Sequence, residues 1–285
     1  MFTLLDGKRL SAEIKEEVKA EIENLKNLSN DYESPSLATI LVGDNPASEI
    51  YVNLKDKACK ECRINSTIYK FPKTITEEEL LKKIEQLNAD KHTHGILVQM
   101  PLPEHINPTK IMNAISDIKD VDGFNPVNSG KLMNNDEILA PCTPKGVIYM
   151  LEKYNVNIKG SNVIVINHSP VVGKPLTLML LNRNATVTVC HVFTKNLKEH
   201  TLGADILISA VGKPNLITED MVKDGVVVVD VGISRIGGKI SGDVDFENVK
   251  NKASLITPVP GGVGPMTVAM LLKNTVNAFK MQIKK

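Results

Sequence analysis

The sequence predicts an α/β fold built as two consecutive parts, and three observations predict it. Short apolar runs recur along the chain without clean alternation, as expected of parallel strands covered on both faces. Stretches with apolar residues every three or four positions separate most of them, as parallel crossovers require. A segment rich in Gly and Pro, residues 117–144, interrupts the pattern and marks a candidate domain junction. With 285 residues the chain has room for two modest domains.

The elements follow in order. Leu10, Ile14, Val18, Ile22 and Leu25 lie on one face of an amphipathic helix. Residues 37–42 form a short buried strand. Asn45 and Pro46 then supply a cap and a first helical residue, opening a helix to about Cys62. Residues 66–70 make a second strand. Thr76 and Glu79 are a capping-box pair for a helix carrying Leu80, Ile84 and Leu87. Residues 95–99 are a third strand, closing a unit of roughly 120 residues. Beyond the junction come apolar strands at 162–166, 186–190, 205–211 and 226–231. A Gly/Pro loop at 257–265 leads into a last helix reaching about Phe279.

Composition narrows the function classes. The formal net charge is +1, so no basic excess favours a nucleic acid. Trp is absent and aromatics are 4%, which argues against base-stacking surfaces. No apolar run approaches the roughly 18 residues of a membrane span. The first residues lack a basic segment followed by an apolar stretch, so no secretory signal is expected. Four scattered cysteines suit a reducing, cytoplasmic setting. Cys59 and Cys62 form a C-x-x-C with no second pair at zinc spacing, and no metal site is expected.

Five stretches can carry chemistry. Tyr51 and Lys55 project from one helix face just after a strand end, where open α/β sheets place ligands. Spacing alone reads Lys55 as one more solvated lysine; a partly desolvated lysine there is a candidate for proton transfer. Gln99 ends an apolar strand before a Pro-stiffened turn and either orients a substrate or bonds its own loop. Asp122 either accepts hydrogen bonds from an amino-heterocycle or belongs to an Asp-Gly turn. Residues 167–175 resemble the first strand-to-helix turn of a dinucleotide fold, although Gly173 is the only glycine of a G-x-G-x-x-G pattern. An NAD site expects a carboxylate about 20 residues on. This chain has no acid there and offers His191 and Lys195, which favours NADP, with NAD as the alternative. Pro258 to Met266 combines glycines and prolines in a loop of specified shape.

Together these stretches resemble the bifunctional methylenetetrahydrofolate dehydrogenase/cyclohydrolase family. The carrying segments are Val42-Gly43-Asp44-Asn45-Pro46-Ala47-Ser48 with Tyr51, Val52, Lys55 and Lys57, then Gly95 to Pro103, Asp120 to Phe124, Pro141 to Pro144, and Pro258 to Met266. The resemblance implies two α/β domains separated by a cleft. Residues 1–120, completed by the C-terminal helix at about 265–285, would bind folate and carry catalysis. Residues 121–264 would form a Rossmann-like NADP-binding parallel sheet. It implies Lys55 as the central catalytic residue, tuned by Gln99, with Asp122 and Tyr51 holding the folate. Val98, Met100, Pro258, Gly261 and Gly262 would shape the folate pocket. Asn167, His168, Ser169, Gly173, His191, Val192, Gly212 and Ile233 would line the NADP site. Where the family usually has Gly-Arg-Ser, this chain has Asn167-His168-Ser169. The implied partners are tetrahydrofolate derivatives and a second copy of the chain, with no nucleic acid and no membrane. A monofunctional dehydrogenase and a non-catalytic folate- or nucleotide-binding protein are the alternatives.

Overall fold

The computed structural model describes residues 2–28 and 33–283. The chain falls into two compact units. One comprises residues 12–142 and 268–285, the other residues 1–11 and 143–267.

The first unit is built on a three-stranded parallel sheet. Strands β2 (Ser36–Val42), β3 (Asn65–Phe71) and β4 (Gly95–Val98) lie in the order β3-β2-β4. Helix α2 (Pro46–Glu61) joins β2 to β3, and helix α3 (Glu77–Ala89) joins β3 to β4. The caps are those expected: the Asn45 side chain accepts from the Ala47 and Ser48 amides, and Thr76 and Glu79 close a capping box. The core packs Ile40, Val42 and Ile96 against Leu80, Ile84 and Leu87 from α3. Helix α1 (Gly7–Leu28) buries Ile14, Val18 and Ile22, three positions on one face. Gly95 begins β4 because a Cβ there would stand 2.6 Å from Val121 Cγ1.

The 117–144 stretch is not an open linker. It contains α5 (Pro126–Met133), after α4 (Pro108–Ala114), and runs into α6 (Cys142–Lys153). Asp120 accepts from the Gly123 and Asn125 amides and from Asn128 Nδ2 at 2.7–3.0 Å. Asn274, on α10 (Val263–Ile283), donates to the Val121 and Ala140 carbonyls, both at 2.9 Å. This knot keeps residues 121–142 with the first unit, so the division after Cys142 lies later than the position expected after residue 120.

The second unit carries a six-stranded sheet of parallel pairs. Its strands are β1 (Thr3–Leu4), β5 (Asn162–Ile166), β6 (Thr186–Cys190), β7 (Ile206–Ser209), β8 (Val227–Asp230) and β11 (Leu255–Ile256). Their order is β1-β11-β8-β7-β5-β6. Helix α7 (Gly173–Asn182) follows β5 and α8 (Leu197–Leu202) follows β6. Pairing of β1 with β11 draws the first residues into this unit rather than the first. A hairpin of β9 (Ser234–Ile236) and β10 (Lys239–Ser241) precedes the short helix α9 (Phe246–Val249). Ile164, Leu207, Val228 and Ile256 anchor this unit's own core. No helix among the described residues is long and apolar enough to cross a membrane.

Candidate active site and dinucleotide site

In the first unit β2 has neighbours on both sides, so the winding reverses there, and ligands of open α/β sheets gather at the strand C-termini beside such a reversal. Lys55 enters this region from α2. It is 8% exposed, and its ammonium donates to Gln99 Oε1 at 3.0 Å. Gln99 follows directly on β4, and its Nε2 donates to the Met100 carbonyl at 2.7 Å. Ser48 Oγ reaches the same carbonyl at 3.4 Å. With its amide oxygen on Lys55 and its amide nitrogen on the backbone, Gln99 is fixed in one orientation. Val98 is buried at the strand end, whereas Met100 is half-buried.

Asp122 belongs to the same cluster. Burial pushes its carboxyl above the usual range, opposed by the Lys55 ammonium and the Cys142 thiol. Cys142 Sγ lies 3.3 Å from the Val121 carbonyl and 3.9 Å from Asp122 Oδ1. Tyr51 sits one helical turn before Lys55, half-buried, its phenol pushed up by that burial. The site therefore offers a held ammonium, a carboxylate it acts upon and an aromatic ring. That set can move a proton and hold a planar, amino-bearing ring. Cys59 and Cys62 are buried free thiols, and burial pushes the Cys59 thiol up to about 12, far from the thiolate that redox exchange needs.

In the second unit the winding reverses at β5, between β6 and β7. The turn after β5 is shaped by a side chain where dinucleotide folds use glycines. Asn167 Oδ1 accepts from the Ser169 amide at 2.7 Å and the Gly173 amide at 3.0 Å. Asn167 Nδ2 donates to the Ala210 carbonyl at 2.6 Å, lacing this turn to the loop after β7. Gly173 is required by close approach, since a Cβ there would stand 2.0 Å from the Asn167 carbonyl oxygen. His168 and His191 meet edge to face with ring centroids 4.8 Å apart. Val192 is 80% exposed beside them, and Ile233 is also exposed. Gly212 adopts φ +76°, and its carbonyl accepts from Ser234 Oγ at 2.7 Å. Pro258, Gly261 and Gly262 lie in this unit, apart in the chain's division from Lys55, Gln99 and Asp122. The Gly261 carbonyl accepts from the Lys8 amide at 2.9 Å.

Two buried carboxylates of this unit were not anticipated from the sequence. Asp230 ends β8 and Asp243 follows β10. Burial pushes Asp230 up to about 6, against the pull of the Asp243, Val244 and Gly232 amides. A polar residue ending a run of four valines is the signal that marks Asp230.

Comparison with known proteins matches both units to known domains. The catalytic domain of tetrahydrofolate dehydrogenase/cyclohydrolase matches residues 5–122, and the NAD(P)-binding domain of the same family matches residues 141–283. A Nitratiruptor protein named bifunctional protein FolD is 54% identical over 279 residues, 98% of each chain. The bifunctional FolD crystal structure from Campylobacter jejuni superposes with a TM-score of 0.96 at 53% identity, covering 99% of both chains. The Trypanosoma brucei dehydrogenase-cyclohydrolase, solved with NADP cofactor and inhibitor, gives 0.95 at 35% identity, covering 100% of this chain and 99% of its own. With both domain types matched in order and a relative more than half identical along nearly the whole length, the chain belongs to the tetrahydrofolate dehydrogenase/cyclohydrolase family, enzymes of folate one-carbon chemistry.

Proposed function

We propose that the protein oxidises 5,10-methylenetetrahydrofolate with NADP⁺ and then hydrolyses the 5,10-methenyl product to 10-formyltetrahydrofolate, with Lys55 as the proton-handling group. The observation that carries this reading is the buried Lys55 ammonium held on Gln99 and acting on Asp122. In the first reaction a hydride leaves the one-carbon bridge, and the bound dinucleotide supplies the acceptor. The protein's part is orientation. In the second, water adds to the methenyl carbon and gives up a proton. The new hydroxyl then gives up its remaining proton to become the formyl oxygen as the bond from that carbon to N5 breaks. N5 takes one proton, the formyl group stays on N10, and one proton is released overall. Lys55 exchanges the proton, and Gln99 fixes where its ammonium points. Asp122 accepts hydrogen bonds from the pterin, and Tyr51 lies against it.

The dinucleotide reading rests on the second unit. Asn167, Ser169 and Gly173 form the turn for the pyrophosphate, Gly212 lets the backbone approach, and Ile233 and Val192 cover apolar parts of the cofactor. His168 and His191 take the place of a ribose-binding carboxylate, which supports NADP over NAD. A homodimer in the cytoplasm completes the proposal, and sedimentation analysis of the purified chain tests its dimeric part.

The decisive experiment supplies purified protein with 5,10-methylenetetrahydrofolate and either NADP⁺ or NAD⁺. Absorbance should rise from the reduced cofactor and the methenyl product, faster with NADP⁺. Absence of any rise with both dinucleotides would leave a binding protein rather than an enzyme.

A further inference from the structure

The loop after β7 is held from below by one buried carboxylate. Asp243 is fully buried. Its Oδ2 accepts from Ser209 Oγ and the Val211 amide, both at 2.7 Å. Its Oδ1 accepts from the Lys213 amide at 2.8 Å. The two amides flank Gly212, so the carboxylate spans the loop on either side of the residue with positive φ. All three donors are uncharged, and a buried carboxylate satisfied this way is stabilised by fixed dipoles rather than by an ion pair.

Asp243 is itself held. Asp230 Oδ1 accepts from the Gly232 amide at 2.9 Å and the Asp243 amide at 3.0 Å, while Oδ2 accepts from the Val244 amide at 2.9 Å. The Asp230 amide in turn donates to Thr257 Oγ1 at 2.7 Å. Two glycines make room for the pair. A Cβ at Gly232 would stand 2.1 Å from Asp243 Oδ1, and one at Gly242 would stand 2.0 Å from Asp230 Oδ2. Hydrogen bonds thus run from the end of β8 through Asp243 to the loop after β7. The same loop is tied to the β5 turn by Asn167 and Ala210.

We propose that Asp243 is a positioning residue for the dinucleotide: it sets the 211–213 loop in the shape that lets the Gly212 backbone meet the cofactor. This rests on the reading of Gly212 as cofactor-binding. An amide at position 243 keeps the size of the carboxylate but turns one acceptor into a donor. That donor then faces either the Lys213 amide or the Val211 amide and Ser209 hydroxyl. The loop must open, whereas Lys55, Gln99 and Asp122 belong to the other unit and are untouched.

The test is Asp243→Asn, with Ser209→Ala as a milder variant that removes one donor and leaves the carboxylate. Three readouts are taken: the dissociation constant for NADP⁺, the dehydrogenase KM and kcat with NADP⁺, and cyclohydrolase turnover of 5,10-methenyltetrahydrofolate without any dinucleotide. For Asp243→Asn the NADP⁺ constant should rise about tenfold and cyclohydrolase kcat stay within about twofold, since one lost charged hydrogen bond corresponds to about that factor. For Ser209→Ala the rise should be about threefold or less in the same direction. A dehydrogenase KM for NADP⁺ that rises while kcat holds would support positioning. Unchanged NADP⁺ affinity in an active variant overturns the proposal. So does a parallel loss of both activities in Ser209→Ala, which marks a purely structural role. Should Asp243→Asn be insoluble, Ser209→Ala decides. If the wild type does not bind NADP⁺, the cofactor reading itself fails, a result distinct from equal binding by wild type and variants.

Discussion

Lys55 is a lysine with 8% exposure whose ammonium has Gln99 Oε1 as a partner, so its removal leaves a polar acceptor facing a cavity. Lys55→Met keeps the aliphatic stem and removes the proton carrier. Cyclohydrolase kcat should fall about 10²- to 10⁴-fold, the span ascribed to a positioned acid or base. The melting temperature should shift by only a few degrees; near-wild-type hydrolysis would remove Lys55 from its role. At the other site the His168 and His191 rings meet with no ribose-binding carboxylate in 167–175 or 190–195. His168→Arg supplies a permanent guanidinium with fork geometry suited to a phosphate. NADP⁺ should bind roughly tenfold more tightly and NAD⁺ about equally, as titration of each dinucleotide would show; an equal gain for both would place His168 away from the 2′-phosphate. The family resemblance predicts Gln99 beside Lys55; the spacing of the two residues by itself does not. Lys55 and Gln99 stand 44 residues apart, and what joins them is the adjacency of β2 and β4, which neither segment reveals alone.

At the scale of elements, turns carry the charge that strands cannot. Asp120 holds the turn into α5, and burial pushes its carboxyl up to about 6 from 3.8. The folded protein holds that proton more tightly than the unfolded chain. Its contribution to stability is therefore greatest below about pH 4, declines as the pH rises toward 6, and levels off beyond. Measured against Asp120→Asn, the wild type should lose about 3 kcal/mol of relative stability across that window. Urea unfolding at pH 3.5 to 7.5 checks it, and parallel curves would refute it. Gly173 makes a steric prediction. An added methyl meets the Asn167 carbonyl, and Gly173→Ala should cost about 1–3 kcal/mol in denaturant unfolding. Helix starts show why some elements were readable. Asn45-Pro46 opens a 16-residue helix whose apolar spacing confirms the signal. The same dipeptide opens α4 at Asn107-Pro108 and α5 at Asn125-Pro126, but with seven and eight residues these helices have too few turns for a periodicity to register. Strands β1 and β11, two residues each, carry no pattern at all and exist through their pairing.

At the scale of the whole molecule, each compact unit has a hydrophobic core drawn from its own residues. A ligand bound by one unit therefore stabilises that unit's core directly, because local opening is governed by the contacts each region makes. NADP⁺ at a hundredfold excess over its dissociation constant adds about 2.7 kcal/mol to whatever opening it blocks. In hydrogen exchange the slowing should fall on β5, the 167–173 turn, the 210–213 loop and β8, where the hydrogen bonds through Asn167, Asp243 and Asp230 converge. Strands β2 and β4, whose core is Ile40, Ile96 and their neighbours, should exchange at unchanged rates. A folate analogue should give the reverse pattern, slowing the Lys55 segment of α2 and the Gln99 strand end. If NADP⁺ protected β2 and β4 as strongly as β5, the two units would open as one, and the separation of cofactor affinity from cyclohydrolase turnover on which the Asp243 test depends would be lost.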